Sequence, residues 1–538
     1  MRESSVVFAL AGVSDANQLK RCLHNMIKKE KSLKVPEGDG GLFGCSGVSF
    51  SMQGVNFSSL LLDLKKARKE LRQALSDGGK LGVRIKRIFS SSVACSVVRL
   101  CMISLNSTLD GDRKEFWMEG RAYFDDIDEA VSDCIDSIPD DAPRLNLRLC
   151  REYISIMRMK FLWYAADYRS VSSEWWVHCV KVFRLVFDTV SKIDSARTSK
   201  ATGPFLSAFI RTITCEICSL QSLSPAEMLI VDAVLDRISD YINLVSFPTD
   251  SCRFYFNLSD PGKGVRLISE KDAEEQGEIL YLWLDDISGN IDRVFCDDVF
   301  SEILDVQKNR LKRLLKIQWE GAGHSRRLHE RHLAGFSAFG IFGYDNILKI
   351  IKSNPKDYLS EVDPELCWNI EDMSINGFGV IIPKADDNPI VIHTVFALAL
   401  PEAMSWRVCL VRRFRRKEDG RGFIGIEVLS SQPVVAFFEG SKGKDPVVKR
   451  NILSLPDYDS LKGKDNSEHN AFLVPTSIIS ESFDQCMVSV MSSDFNQVFS
   501  NPKVDDVFSE TTLVRCFVPA EEDISAFSSA IDGWFVDG

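Results

Sequence analysis

The spacing of hydrophobic residues changes character along the chain. Between residues 126 and 320 it has the period of helices whose apolar face is buried. The clearest of these helical segments are Leu145–Tyr168, Ser173–Ile193, Pro204–Leu220 and Ala226–Val245. From Trp368 onward the spacing shortens toward the period of two that half-buried strands show. The pattern therefore predicts a helical region followed by a β-rich region.

Short strands are predicted at regular intervals in the second region. They cover Gly377–Pro383, Val391–Leu400, Arg407–Phe414, Phe423–Leu429 and Pro433–Phe438. Turn chemistry such as Glu418-Asp419-Gly420 separates them, and this spacing is typical of a small antiparallel β-barrel. A polar stretch follows residue 440, and further β-type runs stand at Ala471–Pro475 and Met487–Met491. These runs predict a separate, smaller β-rich module.

The region before residue 126 mixes both periods. It holds a charged helical stretch around 60–76, a Gly-rich turn near 38–44, and alternating segments at 83–88 and 96–103. A chain of 538 residues is long enough for several cores. We therefore predict a multidomain α+β protein in four parts. These are an α+β domain at 1–125, a helical domain at 126–320, a β-barrel at 321–440 and a β-rich module at 441–538.

Composition and charge exclude several classes of protein. Hydrophobic residues make up 45% of the chain and charged residues 26%, which is the balance of a folded soluble protein. The net charge of -11 argues against a protein that coats nucleic acid or anionic membrane. The apolar stretches are too short to span a bilayer, and 15 scattered cysteines suit a reducing compartment. We expect a cytoplasmic protein without a signal peptide.

Two motifs stand near the start of the predicted barrel. Arg326-Arg327 and Arg331 follow a basic helix predicted over 298–319, and guanidinium groups make paired bonds to phosphate oxygens or to guanine O6 and N7. Asp372-x-Ser374-x-x-Gly377 follows them. Its carboxylate can accept from guanine N–H groups, and its glycine permits close approach. Each motif also has a purely structural interpretation, a solvated helix end for the arginines and a capped turn between strands for the second.

In this order and setting the two motifs resemble those of the PilZ family of cyclic di-GMP receptors. The segments Trp406–Phe414 and Gly422–Leu429 are similar to paired strands of PilZ barrels. The resemblance implies cyclic di-GMP as the ligand, with no further cofactor. It also implies that the ligand-binding residues are Arg326, Arg327, Arg331, Asp372, Ser374 and Gly377. The interval between the motifs is longer than is usual in the family, and an inserted helix is predicted at 346–358.

Other candidate sites are interpreted as structural. Cys215-Glu216-Ile217-Cys218 has metal-type spacing but no second pair of ligands, so a buried helical pair is the preferred interpretation. His324, His329 and His332 are interpreted as polar surface residues rather than metal ligands. No nucleophile motif or catalytic carboxylate pair is found, so we predict a protein that is not an enzyme and has neither catalytic residues nor a metal.

The basic run Arg412–Lys417 supplies an alternative function. Phe414 within it could stack on bases of a nucleic acid, although a solvated hairpin end is the competing interpretation and the overall charge disfavours nucleic acid. The first hypothesis is a receptor in which cyclic di-GMP binding is coupled to the helical region, through which a protein partner binds. The alternative is a helical scaffold or a protein that contacts nucleic acid, with a barrel that does not bind the nucleotide.

Overall fold

A computed structural model describes the chain in segments. These are residues 57–76, 110–137, 143–191, 195–268, 277–284, 286–301, 303, 305–320, 330–357, 367–383, 390–400, 405–417, 419–441, 448–462, 469–475, 485–492, 495–508 and 511–517. The chain forms two compact units, residues 1–304 with 308–325, and residues 305–307 with 326–538. The predicted N-terminal strands at 83–88 and 96–103 and the Gly-rich turn lie outside the described residues.

The first unit is mainly helical. Its helices are α1 (Phe57–Ser76), α2 (Asp110–Ser137), α3 (Pro143–Ala166), α4 (Ser173–Ser191), α5 (Ser195–Thr214), α6 (Pro225–Ile238), α7 (Ile287–Val294) and most of α8 (Asp305–Trp319). Helix α1 packs on α2, and α3 packs on α2, α4 and α5. The predicted boundary of the N-terminal domain, residue 125, lies inside α2. The charged helix predicted around 60–76 is confirmed as α1.

Helix α6 begins where its sequence predicts a helix start. The Ser224 side chain accepts a hydrogen bond from the Glu227 backbone, and the Glu227 carboxylate accepts one from the Ser224 N–H at 2.9 Å. The helix ends at Ile238, so the prediction that it reaches Val245 was wrong. The last four residues of that prediction form a strand instead. A 3₁₀ turn, Ser239–Tyr241, separates the two, and a strand of four residues is too short to show a period of its own.

That strand belongs to a small antiparallel sheet in the first unit. The strands are β1 (Ile242–Val245), β2 (Cys252–Asn257), β3 (Val265–Leu267) and β4 (Ile279–Leu284), in the order β1-β4-β2-β3. Aromatic side chains join the sheet to the helices, since the rings of Trp176 and Phe256 lie 5.6 Å apart. Trp163 and Trp175 are buried and donate their indole N–H groups to backbone carbonyls. These aromatic residues therefore belong to the core of the first unit.

The second unit contains two closed six-stranded barrels. The first consists of β5 (His332–Phe342), β6 (Trp368–Ser374), β7 (Gly377–Ile382), β8 (Val395–Ala399), β9 (Arg407–Arg416) and β10 (Gly422–Ser430). Its order is β10-β7-β6-β5-β8-β9, with every pair antiparallel. One row of paired residues fills its interior and is at most 1% exposed, namely Ile370, Val380, Ile424 and Phe414. The predicted small antiparallel barrel is thus present.

The second barrel takes up the C-terminal strands. It consists of β11 (Val434–Ser441), β12 (Val448–Leu455), β13 (His469–Pro475), β14 (Gln485–Ser492), β15 (Phe495–Val507) and β16 (Thr511–Phe517). Its order is β11-β12-β13-β16-β15-β14. The strand predicted at 433–438 is β11, and it pairs with β12 and β14. Strand pairing therefore places the junction between the barrels before Val434, rather than after residue 440.

A short helix, α9 (Tyr344–Ile350), joins the two barrels through a common hydrophobic core. Ile347 and Ile350 contribute to this core with residues of both barrels. The Tyr344 hydroxyl donates to the Leu473 carbonyl at 2.6 Å and accepts from the Leu453 N–H at 3.2 Å. Burial raises the pKa of Tyr344, so its hydroxyl stays protonated. The inserted helix predicted at 346–358 therefore lies at the junction, where α9 ends at Ile350 and residues 355–357 are helical again.

Substituting Tyr344→Phe is expected to lower the free energy of unfolding by about 1–3 kcal/mol, because it leaves a buried N–H and a buried carbonyl without their partner. Urea denaturation measures the change. Tyr241→Phe is the control, since the Tyr241 side chain lies at the surface with 47% of the residue exposed. A loss no larger for Tyr344→Phe than for this control would show that the two hydrogen bonds do not stabilise the junction.

Candidate functional site

The two predicted motifs meet on the first barrel. Arg331 directly precedes β5, Asp372 lies near the end of β6, and the pairing of these strands sets Asp372 opposite Leu333. The Arg331 Nη1 donates to the Asp372 Oδ1, and the two side chains are 27% and 28% exposed. An ion pair accessible to solvent therefore joins one arginine of the first motif to the carboxylate of the second. Arg326 and Arg327 lie outside the described residues.

Ser374 and Gly377 close the hairpin between β6 and β7. They are paired residues, and the Ser374 hydroxyl donates to the Gly377 carbonyl at 3.3 Å. Within the turn, the Asn376 carbonyl accepts from the Val428 N–H at 2.9 Å, which ties the hairpin to β10. The motif thus ends one strand and begins the next. Its serine acts within the turn.

Two glycines of this hairpin lie in close contacts. A Cβ on Gly377 would lie 2.2 Å from the Ile426 carbonyl oxygen, a backbone atom that has little freedom to move. A Cβ on Gly379 would lie 2.7 Å from the Asp372 Oδ1. Gly379 is an addition to the predicted site, and its sequence signal is the alternation Gly377-x-Gly379. The missing side chain at Gly379 leaves the space that the Asp372 carboxylate occupies.

The substitution Gly377→Ala is expected to destabilise the barrel by about 1–3 kcal/mol, because the added methyl forces β7 and β10 apart. Thermal or urea unfolding measures the loss. Gly335→Ala is the matched control in the same barrel, since a Cβ there meets nothing within 4 Å. Equal stability of the two variants would contradict the close approach at Gly377.

The described part of the insertion between the motifs does not cover the ion pair. Helix α9 follows the C-terminal end of β5, whereas Arg331 precedes its N-terminal end. A strand advances about 3.3 Å per residue, so the 11 residues of β5 separate Arg331 from helix α9. The insertion therefore leaves Arg331 and Asp372 in contact.

The basic run Arg412–Lys417, on which the alternative hypothesis depends, contains both buried and exposed side chains. Phe414 is 1% exposed inside the barrel, so the prediction that it is available for stacking on bases was wrong. The side chain of Arg416 is also buried, with its Cζ 4.8 Å from the centre of the Phe414 ring. Arg412 donates to the Glu427 carboxylate. Alternation along β9 places Phe414 and Arg416 on the same face, whereas Arg412 is the extra residue at a β-bulge opposite Gly425 and Ile426 and so leaves this alternation.

The two cysteines with metal-type spacing are buried in a short 3₁₀ turn, Cys215–Cys218, after α5. Their thiols donate to the carbonyls of Arg211 and Thr214 at 3.3 and 3.4 Å. Burial raises the pKa of both, to about 12 for Cys218. The interpretation as a buried pair is confirmed. In the part of the chain that the structure describes, no group of three or more His, Cys, Asp or Glu residues is placed to hold a metal ion.

Alkylation of the native protein at pH 8 is expected to spare Cys215 and Cys218, because a raised pKa leaves almost no thiolate and burial blocks the reagent. Cys296 is exposed and serves as the internal control. Mass spectrometry after iodoacetamide treatment measures each site, and denaturation should make all three react. Labelling of Cys215 or Cys218 at the rate of Cys296 in folded protein would contradict their burial.

The chain matches no family model, no curated protein and no solved structure. Its resemblance to PilZ proteins therefore stays a prediction from the two motifs and the strand pattern. Of the helices that the structure describes, none is both long and apolar enough to cross a membrane.

Proposed function

We propose that the protein is a non-enzymatic receptor for cyclic di-GMP, which binds on the first barrel beside Arg331 and Asp372. The observation that carries this proposal is the ion pair between these residues. It joins the two motifs that the sequence places 41 positions apart, on a closed antiparallel barrel of six strands.

The chemistry of the pair suits a guanine nucleotide. A carboxylate accepts hydrogen bonds from the guanine N–H groups, and a guanidinium donates in pairs to phosphate oxygens or to O6 and N7. Without ligand the two groups neutralise each other. Exchanging this pair for contacts with the ligand costs little, because ion pairs that solvent reaches contribute about 1 kcal/mol or less.

Arg326 and Arg327 extend the proposal to regulation. They lie in the segment between α8, most of which belongs to the helical unit, and β5 of the barrel. A ligand that draws these arginines onto the barrel would restrain the segment and shift an existing conformational equilibrium. In this proposal the helical unit transmits the change to a protein partner in the cytoplasm. The cysteines whose side chains the structure describes are free thiols, which suits that compartment.

Isothermal titration calorimetry tests the proposal directly. Full-length protein, shown to be folded by its thermal transition, is titrated with cyclic di-GMP up to high micromolar concentration. Saturable heat with cyclic di-GMP is expected, together with much weaker heat from cyclic di-AMP, whose adenine lacks the guanine O6 and N–H pattern. Absence of heat with cyclic di-GMP would overturn the proposed function.

A barrel that does not bind nucleotide is the second candidate, and two contacts favour it. The Ser374 hydroxyl is engaged within its own hairpin, and Asp372 already has a cationic partner. In that case the helical unit acts as a scaffold and captures its partner in the same amount with and without cyclic di-GMP. A pull-down from cell extract under both conditions distinguishes this candidate from the receptor.

A further inference from the structure

Leu333 is the most exposed large apolar residue in the part of the chain that the structure describes, at 94%. It lies in β5, whose pairing with β8 begins only at Phe339, so among the described strands residues 332–338 have pairing partners in β6 alone. A single exposed leucine is ordinary on a protein surface. The position of Leu333 is what points to a ligand, because its partner across the β5–β6 pairing is Asp372.

The paired side chains of Leu333 and Asp372 lie on one face of two adjacent strands. Residues paired in this way have Cβ atoms about 5 Å apart. The Asp372 carboxylate lies over Gly379 of β7, because a Cβ on that glycine would be 2.7 Å from its Oδ1. Strand β7 flanks β6 on the side opposite β5. The carboxylate therefore leans away from Leu333 and leaves the apolar surface of the leucine uncovered beside it.

Arg331 adds a cation to the same small surface. Its Nη1 donates to the Asp372 Oδ1, and both side chains remain accessible to solvent. The beginning of β5 and the adjacent strand β6 supply all three groups, so the curvature of the barrel does not separate them. A ligand complementary to this surface has a negative charge for the guanidinium, an N–H edge for the carboxylate and an apolar face for the leucine. A guanine nucleotide has all three.

We propose that Leu333 packs against one face of the guanine whose N–H edge donates to Asp372. This inference rests on the proposed function and names a further binding residue for the same site. The N–H groups of a base point outward in its plane, so a guanine held by this edge presents a flat face to the side chain beside the carboxylate. Contact between that face and Leu333 removes apolar surface of both from water, which favours binding.

Calorimetry with cyclic di-GMP on the full chain tests this inference with three variants. Leu333→Ala is expected to weaken binding about 5-fold to 30-fold, because it removes most of the apolar surface that the base covers. Leu333→Phe should bind at least as tightly as the wild type, since an aromatic ring stacks on a base. Leu62→Ala is the matched control, because Leu62 is 66% exposed on α1; its affinity should stay within about 2-fold of the wild type.

The outcomes separate this inference from the proposed function. Absence of heat from the wild type overturns both. Binding by the wild type with equal affinity for Leu333→Ala overturns the inference alone, and so do equal losses for Leu333→Ala and Leu62→Ala. Thermal unfolding shows whether each variant is folded. Should Leu333→Ala fail to fold, Leu333→Phe carries the test, and binding at least 5-fold weaker than that of the wild type then overturns the inference.

Salt dependence shows whether Leu333 contacts the ligand or acts through the neighbouring ion pair. Salt screens charges but leaves an apolar contact intact. The ratio of the affinities of the wild type and Leu333→Ala should therefore stay constant between about 0.1 and 0.5 M sodium chloride, while both affinities fall. A ratio that approaches one as salt rises would assign the effect of Leu333 to electrostatics at Arg331 and Asp372, and would overturn the inference.

Discussion

Replacing Arg331 by alanine is expected to weaken binding of cyclic di-GMP by about 1.5–3 kcal/mol, which is about a 10-fold to 100-fold rise in Kd. Arg331 is the arginine of the first motif that the structure describes, and its guanidinium contacts the Asp372 carboxylate. Its removal takes away donors for the ligand and leaves the carboxylate without its cation. Calorimetry on the variant and the wild type measures the change.

A double-mutant cycle with Asp372→Asn shows whether Arg331 acts on the ligand itself. If it does, Arg331→Ala also weakens binding in the Asp372→Asn background, where the ion pair is already broken. The stability cost of Arg331→Ala should be about 1 kcal/mol or less, because both side chains are accessible to solvent. Arg421→Ala is the matched control, since Arg421 pairs with Asp419 at the surface of the same barrel.

Unchanged affinity in both Arg331→Ala and Asp372→Asn would show that the ligand, if it binds at all, binds elsewhere. A loss for Arg331→Ala that disappears in the Asp372→Asn background would assign Arg331 a positioning role through the carboxylate. A loss of the same size for Arg421→Ala would indicate that only the total positive charge matters. Each result points to a different arrangement of the bound nucleotide.

The strands of the first barrel could be predicted well wherever alternation and a turn occur together. Strands β7, β9 and β10 are found within a few residues of their predicted limits. The strand predicted from Val391 begins only at Val395, because His393 has a positive φ of 68° and Thr394 donates to the Val391 carbonyl in a turn. An apolar run contains no local signal that separates such a turn from the strand that follows it.

Contacts that depend on strand partners could not be predicted. The sequence shows that 433–438 is a strand, but its place in the second barrel depends on pairing with β12 and β14. In the same way, the contact of Arg331 with Asp372 depends on the β5–β6 pairing. Residue types indicated the chemistry of the site, and its geometry comes from interactions between distant segments.

In the helical unit, Asp232→Ala is expected to lower the free energy of unfolding by about 3–5 kcal/mol. Asp232 is 1% exposed, and its two oxygens lie 3.1 Å from Arg158 Nη1 and 2.9 Å from Arg211 Nη2. The two arginine side chains are only 3% and 5% exposed. Removing the carboxylate therefore takes the shared anion away from two buried cations, of which Arg211 keeps its contact with the more exposed Asp236.

Asp236→Ala is the matched control, because Asp236 contacts the same Arg211 but is 34% exposed. Water can replace its carboxylate, so a loss of about 1 kcal/mol or less is expected. Urea denaturation followed by tryptophan fluorescence reports on this unit, since Trp163, Trp175 and Trp176 lie in its core. Asp232 and Asp236 both contact Arg211, so the difference in unfolding free energy between the two variants measures the effect of burying the carboxylate. Equal losses would mean that breaking the buried network costs no more than breaking a pair at the surface.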